Sequence, residues 1–299
     1  MTRQPKTSII IAAHDEEQVI GRGLAALLGD AVPGEFQVLV VCNGCRDATA
    51  AAARSAGEEL GHHIQVIEIP VASKIAALRA AENEADVRAA DVRIYVDADV
   101  EVSTETARKL RDAVLGDGPR LGVVRPLVRA EQASWPVRAY FAVWNERRSL
   151  DSDGSGTGVF AVNAAGVSRI ADWPAVMNDD GFVVRQFSDA EKVLVDAVSL
   201  IHPPRTLGAL IRRRARVVNG NRELDLRWPR VGGLQGSSTS SADRKSSHLG
   251  RLRFSPVHLA VFLSVTAAAR LLAAWRRWRG RGGEWSVDTT SRRVSDVAS

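Results

Sequence analysis

The stretch Val92-Arg93-Ile94-Tyr95-Val96-Asp97-Ala98-Asp99 joins an apolar run to two carboxylates that are separated by one residue. The run predicts a buried β-strand that ends at the two aspartates. Carboxylate oxygens are the ligands that Mg²⁺ and Mn²⁺ prefer, and such cations commonly bind substrate phosphates at their open positions. Asp-x-Asp also occurs in surface turns. The position of this pair after three strand–helix units favours a metal site.

Short apolar runs rich in Val and Ile alternate with helical patterns over the first hundred residues. The runs cover residues 7–12, 36–41, 64–69 and 92–96, and the helices cover about 17–28, 48–60 and 74–86. Repeated βαβ units predict an α/β fold with a doubly wound, mainly parallel sheet flanked by helices. Ligands of such sheets bind beyond the carboxyl ends of the strands. Three polar clusters are therefore expected at one edge of the sheet: residues 14–17, 43–47 and 97–99.

Two common nucleotide-binding loops are missing from the sequence, which contains neither a suitably placed Gly-x-Gly-x-x-Gly turn nor a P-loop. A bound nucleotide diphosphate would need another source of positive charge, and a metal on the aspartates is the obvious candidate. Cys42 and Cys45 form a Cys-x-x-Cys motif, and two cysteines are too few for a disulfide framework. A redox role would place the second cysteine in the first turn of a helix.

Charge is distributed unevenly along the 299 residues, although the net charge is only +5. Residues 1–204 hold 21 Lys and Arg against 29 Asp and Glu, a net of −8, whereas residues 205–299 hold 19 against 6, a net of +13. A basic segment of this kind indicates an anionic partner or a solvated tail. The polar start at residues 1–6 and the strand pattern at 7–12 contain no signal peptide, so a cytoplasmic protein is expected.

Four segments, taken together, resemble the successive motifs of the GT-A glycosyltransferases of family two. They are IIAAHDEE (10–17), VVCNGCRDAT (40–49), SKIAAL (73–78) and VDAD (96–99). The resemblance implies a Rossmann-like GT-A fold and inverting transfer of a sugar from a nucleotide diphosphate sugar to an acceptor hydroxyl. It also implies Mn²⁺ or Mg²⁺ on Asp97 and Asp99. The donor-binding roles that it implies fall on Ala13, His14, Glu16, Asn43, Lys74 and Asp97.

Two departures from the family pattern leave the nucleotide unidentified. Asn43 stands where many members carry a base-reading Asp, and Arg79 replaces an Asn that often follows the lysine motif. Taken alone, Lys74 is equally compatible with a solvated residue at a helix start. His14 and Glu16 are equally compatible with a stabilising role at a helix N-terminus.

The second half of the chain is predicted to supply the acceptor side. Gly156 and Gly158 resemble the family's Gly-rich segment beside the acceptor site, although a hairpin loop explains the glycines nearly as well. Residues 177–185 resemble the family's acidic motif at a helix start, which implies Asp180 as the general base with Asp179 beside it. The alternative is that Asp180 only caps the helix.

Arginines follow in residues 211–216, at the place of the family's Gln-x-x-Arg-Trp segment. Arg213 and Arg216 are predicted to bind the diphosphate, because guanidinium groups bind phosphate in bidentate fashion. The missing Gln and Trp argue against a processive polysaccharide synthase. His202 occupies the place of a third metal ligand in some GT-A enzymes, and a structural histidine is the alternative.

Three regions are expected: a glycosyltransferase domain (1–230), a flexible Ser/Gly-rich linker (231–254) and a basic C-terminal helix and tail (255–299). Ser255-Pro256 predicts a helix start. Residues 257–275 are long and apolar enough to reach across a bilayer, but Arg270 makes a span costly. The Trp and Arg residues at 275–281 favour peripheral contact with an anionic membrane, at its inner face. A helix packed on the protein and a true span stay open.

The sequence therefore predicts a membrane-associated glycosyltransferase that acts on a glycan or a lipid-linked acceptor, such as a cell-envelope precursor, and that has no nucleic-acid partner. One alternative is a sugar-phosphate nucleotidyltransferase, which normally has a Gly-rich basic first loop where this chain has the acidic residues 14–17. The other is a catalytically silent GT-A domain that docks on a membrane through its basic tail.

Overall fold

The computed structural model describes residues 5–150, 154–229 and 255–280. In this part of the chain the strands are β1 (Thr7–Ala13), β2 (Gln37–Asn43), β3 (Ile64–Ile69), β4 (Val92–Asp97), β5 (Val100–Glu101), β6 (Leu121–Val128), β7 (Val159–Asn163) and β8 (Lys192–Ile201). The helices are α1 (Ile20–Leu28), α2 (Thr49–Leu60), α3 (Lys74–Glu82), α4 (Ala85–Arg88), α5 (Thr104–Val114), α6 (Trp135–Leu150), α7 (Ala164–Val167), α8 (Asp179–Arg185), α9 (Leu207–Arg227) and α10 (Pro256–Trp278).

The strands form one mixed sheet in the order β3-β2-β1-β4-β7-β6-β8-β5. The first four strands are parallel to one another, and β6 is parallel to β8. β7 runs antiparallel between β4 and β6, and the short β5 runs antiparallel to β8. The predicted α/β fold with a mainly parallel sheet and a C-terminal helix is therefore confirmed.

Both faces of the sheet are buried at strands β1, β2, β4 and β7, as expected for strands whose apolar residues run without interruption. Successive side chains of a strand point to opposite faces. Ile9 and Ile11 therefore pack with α1, α2, α5 and α6 on one face. Ile10 packs on the other face with α3, α8 and the fully buried Trp173. Helices on both faces leave the ends of the strands as the accessible part of the sheet.

Two predicted helices have different limits in the structure. The helix predicted from residue 17 begins at Ile20, because Asp15 adopts a left-handed conformation and the carbonyl of Glu16 closes a turn onto Val19 and Ile20. The helix predicted over 74–86 ends at Glu82, and a short second helix follows it. Asn83 caps the first helix, in keeping with the preference of Asn for helix ends over helix interiors.

Helix α10 begins at Pro256, as predicted, and packs against α6 and α9. Its buried stripe consists of Phe262, Val265, Ala269 and Ala273. The ring of Phe262 stacks on Tyr140 of α6 at 4.9 Å between centroids. The predicted linker at 231–254 and the tail beyond residue 280 lie outside the described residues.

Candidate functional site

The carboxyl ends of β1, β2 and β4 lie side by side at one edge of the sheet. Ala13 pairs with Cys42 of β2, and Ala12 pairs with Asp97 of β4. The carbonyl of Ala13 accepts a hydrogen bond from Asn43 Nδ2 at 2.7 Å. His14 Nδ1 lies 2.6 Å from the Asn43 carbonyl oxygen. The structure thus brings together the first group of predicted donor-binding residues.

Asn43 is buried, and its Oδ1 atom has no hydrogen-bond partner among the residues that the structure describes. A buried acceptor without a partner is costly, so such an atom marks a place where a ligand donor can bind. Glu16 is also buried, and its backbone N–H donates to Thr49 Oγ1 at 2.8 Å. Both residues therefore lie inside this edge rather than on a solvated surface.

Lys74 connects the first half of the chain to the second. Ser73 caps α3 by accepting from the N–H of Ala76, which fixes Lys74 as the first residue of the helix. The Lys74 ammonium donates to Asp97 Oδ1 at 2.5 Å and lies 2.6 Å from Asp179 Oδ2. Burial alone would lower the pKa of Lys74, but Asp179, Asp97 and Asp180 raise it well above its usual value.

Asp180 is buried in the first turn of α8, with 7% of its surface exposed. The N–H of Gly158 donates to its Oδ2 at 3.2 Å. Asn178, rather than Asp180, caps the helix, because its side chain accepts from the N–H of Gly181 at 2.9 Å. The capping role proposed as the alternative for Asp180 therefore belongs to a different residue.

Burial, together with the neighbouring carboxylates of Asp179 and Asp97, raises the pKa of Asp180 to about 8. Burial likewise raises the pKa of Asp97. Three carboxylates thus share a single nearby ammonium. Asp99 adds a fourth acid, and its side chain has no hydrogen bond or ion pair within the described ranges. This excess of hard, negatively charged oxygen ligands fits a divalent cation.

A cavity of about 300 Å³ opens beside these carboxylates. Its acidic wall comprises Asp97, Asp179 and Asp180. Aromatic and aliphatic side chains form a second wall: Val128, Phe141, Trp144, Leu210 and Val217. The predicted residues Gly156, Arg213 and Arg216 line it, together with Arg148 and Arg214. The cavity can therefore receive a ligand that has both anionic and apolar parts.

Helix α6 contributes to this cavity, which was not predicted from the sequence. Phe141, Trp144 and Arg148 follow one another at helical spacings of three and four residues. That spacing places them on one face of a helix, which is a signal that the sequence does carry. Nothing in the sequence indicates that this face borders the acidic cluster, because α6 and α8 meet only through the tertiary fold.

His202 lies against Glu101 instead of against a carboxylate of the Asp-x-Asp pair. Its Nε2 atom is 2.6 Å from Glu101 Oε1, and the same oxygen is 2.6 Å from Arg22 Nε. Pairing of β5 with β8 sets Val100, the residue after Asp99, opposite Ile201. Asp99 precedes Val100 and His202 follows Ile201, so these two residues lie at the same end of the strand pair. The role of His202 as a third metal ligand stays a prediction.

The cysteine pair lacks the features of a redox site. Both thiols are free, and burial raises the pKa of Cys42 to about 12. Cys45 precedes α2 by four residues and so lies outside the first turn of that helix. A reactive thiol needs the opposite environment, one that lowers its pKa.

Residues 8–173 match the model of the Glycosyl transferase family 2. The chain belongs to this family. It is therefore a glycosyltransferase, and the predicted family and enzyme class are confirmed. The match ends before Asp179 and Asp180.

A solved structure of another glycosyltransferase shares the fold. The mannosyltransferase PcManGT from Pyrobaculum calidifontis, solved with GDP-Man and Mn²⁺, has 18% identity and a TM-score of 0.56, over 94% of this chain and 85% of that one. Glucosyl-3-phosphoglycerate synthase from Mycobacterium tuberculosis, solved with Mn²⁺, UDP and phosphoglyceric acid, has 18% identity and a TM-score of 0.48, over 73% and 78%. Comparison with curated protein sequences gave no match.

Proposed function

We propose that this glycosyltransferase moves a sugar from a nucleotide diphosphate sugar to an acceptor hydroxyl with inversion, and that Asp180 is the general base. One observation carries the proposal. Asp180 is a buried carboxylate on the cavity wall that its own helix does not need, because Asn178 provides the cap. A raised pKa makes such a carboxylate a stronger base than a solvated one.

The reaction is a single displacement. Asp180 accepts the proton of the acceptor hydroxyl while the hydroxyl oxygen attacks the anomeric carbon and the nucleoside diphosphate leaves from the opposite face. Gly158 holds the carboxylate through its N–H, which fixes the position of the proton acceptor. No covalent sugar–enzyme intermediate forms.

Asp97 and Asp99 are the residues that would hold Mn²⁺ or Mg²⁺. The PcManGT mannosyltransferase, which shares the fold, was solved with Mn²⁺ and GDP-Man. Such a cation, when bound, stabilises the negative charge that develops on a leaving diphosphate. Arg213 and Arg216 face the same cavity and would contact phosphate oxygens. Ala13, His14, Glu16 and Asn43 would surround the nucleobase and ribose.

Asp180→Asn tests the base. Loss of a positioned general base lowers turnover by about 10² to 10⁴-fold. The measurement is Mn²⁺-dependent breakdown of UDP- and GDP-sugars, with water or an added acceptor, beside nucleotide binding by calorimetry. We expect binding to persist and turnover to fall.

Asn178→Ala is the matched control, since losing a helix cap costs about 1 kcal/mol of stability. Near wild-type turnover by Asp180→Asn would refute the assignment. Release of pyrophosphate from a nucleoside triphosphate and a sugar phosphate would instead indicate a nucleotidyltransferase. The absence of any turnover with intact nucleotide binding would indicate a silent domain.

We further infer that the enzyme is cytoplasmic and binds peripherally to an anionic membrane through α10. This helix is apolar on its outward face as well as on its buried stripe, and the exposed large residues are Val257, Leu259, Leu263, Leu271, Trp275 and Trp278. Arg276, Arg277 and Arg279 follow at its end. Apolar residues next to Trp and Arg suit the boundary between acyl chains and anionic head groups.

Among the residues that the structure describes, α10 is the one helix that is long and apolar enough to cross a membrane. Its packing on α6 and α9 supports a helix that lies on the bilayer, since Phe262 and Val265 belong to the same apolar cluster as the sheet. α6 and α9 also wall the cavity. This arrangement supports a lipid-linked acceptor, such as a cell-envelope glycan precursor, whose apolar part would contact Phe141 and Trp144.

Vesicle sedimentation tests the membrane contact. We expect the full chain to sediment with vesicles that contain phosphatidylglycerol, less so with neutral vesicles, and less in high salt, because each basic residue near an anionic surface contributes about 1 kcal/mol. The variant Leu263→Ser/Leu271→Ser should release the protein. Val32→Ser, at an exposed position in the loop between α1 and β2, is the control. Equal sedimentation of the α10 variant and wild type would contradict the proposal.

A further inference from the structure

We propose that His14, Asp15 and Cys45 form a second metal site that selects zinc-like cations. One ligand atom from each of these residues lies within 4.8 Å of the other two. His14 Nε2 and Asp15 Oδ2 are 3.7 Å apart. The site lies on the β2 side of β1, whereas the Asp97 and Asp99 pair follows β4 on the other side of β1.

The histidine ring is already oriented for metal binding. Its Nδ1 atom lies 2.6 Å from the Asn43 carbonyl oxygen, which can only accept a hydrogen bond. In the neutral ring the proton is therefore on Nδ1, and the lone pair of Nε2 faces Asp15. Histidines that bind metals commonly donate their other N–H to a backbone carbonyl in this way.

The two loops that carry the ligands are joined to each other. Asp15 Oδ1 accepts a hydrogen bond from the N–H of Arg46 at 2.7 Å, and Asp15 Oδ2 lies 3.7 Å from His14 Nε2. The Cys45 thiol lies 3.5 Å from the Ala13 carbonyl oxygen at the end of β1. Cys45 is half-buried rather than enclosed in the core.

The ligand set differs chemically from that of the Asp97 and Asp99 pair. A thiolate, an imidazole and a carboxylate are the ligands that Zn²⁺ binds in tetrahedral sites, with water in the fourth position. Mn²⁺ and Mg²⁺ prefer oxygen ligands alone. Bond lengths of about 2.0 to 2.3 Å put tetrahedral ligands roughly 3.5 Å apart, so a small inward movement of the side chains closes the site. The Cys45 thiol proton is released to solvent when the metal binds.

The effect of this site on donor binding rests on the proposed function. His14 and Asn43 would also contact the nucleobase and ribose of the donor, so a zinc ion on His14 competes with the nucleotide. Zinc would then inhibit by weakening donor binding, while the Asp97 and Asp99 pair keeps its own cation.

Co²⁺ titration of the full chain tests the site, because a thiolate bound to Co²⁺ gives a charge-transfer absorption band. We expect the wild type to show this band at one equivalent of Co²⁺ and Zn²⁺ to abolish it. Cys45→Ser should lose the band and Cys42→Ser, the matched control, should keep it. Asp15→Asn should weaken Co²⁺ binding about 10-fold or more with an unchanged melting temperature.

Absence of the band in the wild type, or an equal band in both cysteine variants, would overturn the second site. This readout needs neither nucleotide nor catalysis, so it does not depend on the proposed reaction. In a second arm, Zn²⁺ should weaken Mn²⁺-dependent UDP or GDP binding by the wild type but not by Cys45→Ser. Equal weakening in both, or in neither, would overturn the competition.

Discussion

Gly158 connects the acidic residues Asp97 and Asp180 through its backbone. Its carbonyl accepts from the N–H of Asp97 at 2.8 Å, and its own N–H donates to Asp180. Its backbone is left-handed, with φ of +64°, and an added Cβ would lie 2.5 Å from Val100 Cγ2 and 3.3 Å from Asp97 Oδ2. One residue thus fixes the distance between the end of β4 and the first turn of α8.

Gly158→Ala should therefore lower stability by more than the roughly 1 to 2 kcal/mol that a left-handed alanine costs, and should also reduce turnover. Gly156→Ala is the matched comparison, because Gly156 has a similar φ of +69° but no atom within 4 Å of the added Cβ. Urea unfolding measures both variants. Equal losses of stability would show that the close contacts of the added Cβ at position 158 cost nothing beyond the left-handed backbone conformation.

Single residues could be predicted where a short motif carries them. Asp97, Asp99 and Lys74 follow from local patterns and from the resemblance to the family, and the structure places Lys74 against Asp97. The contacts of Asp180 could not be predicted in this way. Its hydrogen bond to Gly158 spans 22 residues, and Asn178 takes the cap because its side chain reaches the N–H of Gly181.

An ion pair between Glu35 and Arg108 connects the loop before β2 to α5. Arg108 donates to both carboxylate oxygens of Glu35, at 2.7 and 2.8 Å. The hydrogen bonds from Arg108 lower the pKa of Glu35 from 4.5 to about 2. A carboxyl group whose pKa falls on folding stabilises the folded state above its unfolded pKa, and this contribution is lost as the pH falls through the folded value.

Glu35→Gln should therefore destabilise the protein by about 1.5 to 3 kcal/mol at neutral pH, the range for hydrogen bonds to charged groups. The difference from wild type should shrink between pH 4.5 and pH 2, where the wild-type contribution is lost. Urea unfolding at pH 7 and pH 3 checks this. A difference that is the same at both values would exclude the ion pair as its source.

The limits of the strands are predicted most accurately where burial produces an unbroken run of apolar residues. β1 to β4 differ from their predicted limits by no more than two residues, because buried parallel strands are uninterrupted apolar runs. The start of α1 was missed, since the left-handed Asp15 depends on contacts with the loop after β2. The role of α6 as a cavity wall was also missed, because it depends on packing between distant segments.

For the whole molecule, α10 is bound to the same apolar cluster as the sheet on one side and faces outward on the other. The pattern of α10 could not tell these sides apart, because a helix that is apolar all round has no distinct buried face in its sequence. The charge asymmetry between the two parts of the chain did indicate an anionic partner for the C-terminal region, without showing which face of the helix remains available.

Substitutions at two neighbouring residues can distinguish the buried face of α10 from its outward face. Phe262 is 7% exposed and Leu263 is 57% exposed. Phe262→Ala should lower the stability of the whole domain by about 3 to 5 kcal/mol, as for other buried phenylalanines. Leu263→Ala should change stability by no more than about 0.5 kcal/mol. Thermal unfolding should show a single transition in each case. An unaffected melting temperature for Phe262→Ala would mean that α10 is not part of the cooperative unit.

The position of β7 in the sheet has a consequence for biosynthesis. β4 pairs with β1 on one side and with β7 on the other, and β7 begins about 60 residues after β4 ends. At 5–20 residues per second, a ribosome needs roughly 3 to 12 s to make the intervening segment. During that time β4 is the open outer strand of the nascent sheet, which is the kind of edge that pairs with other chains. The yield of soluble enzyme in a cell should therefore depend on translation speed and chaperone access over residues 98–158.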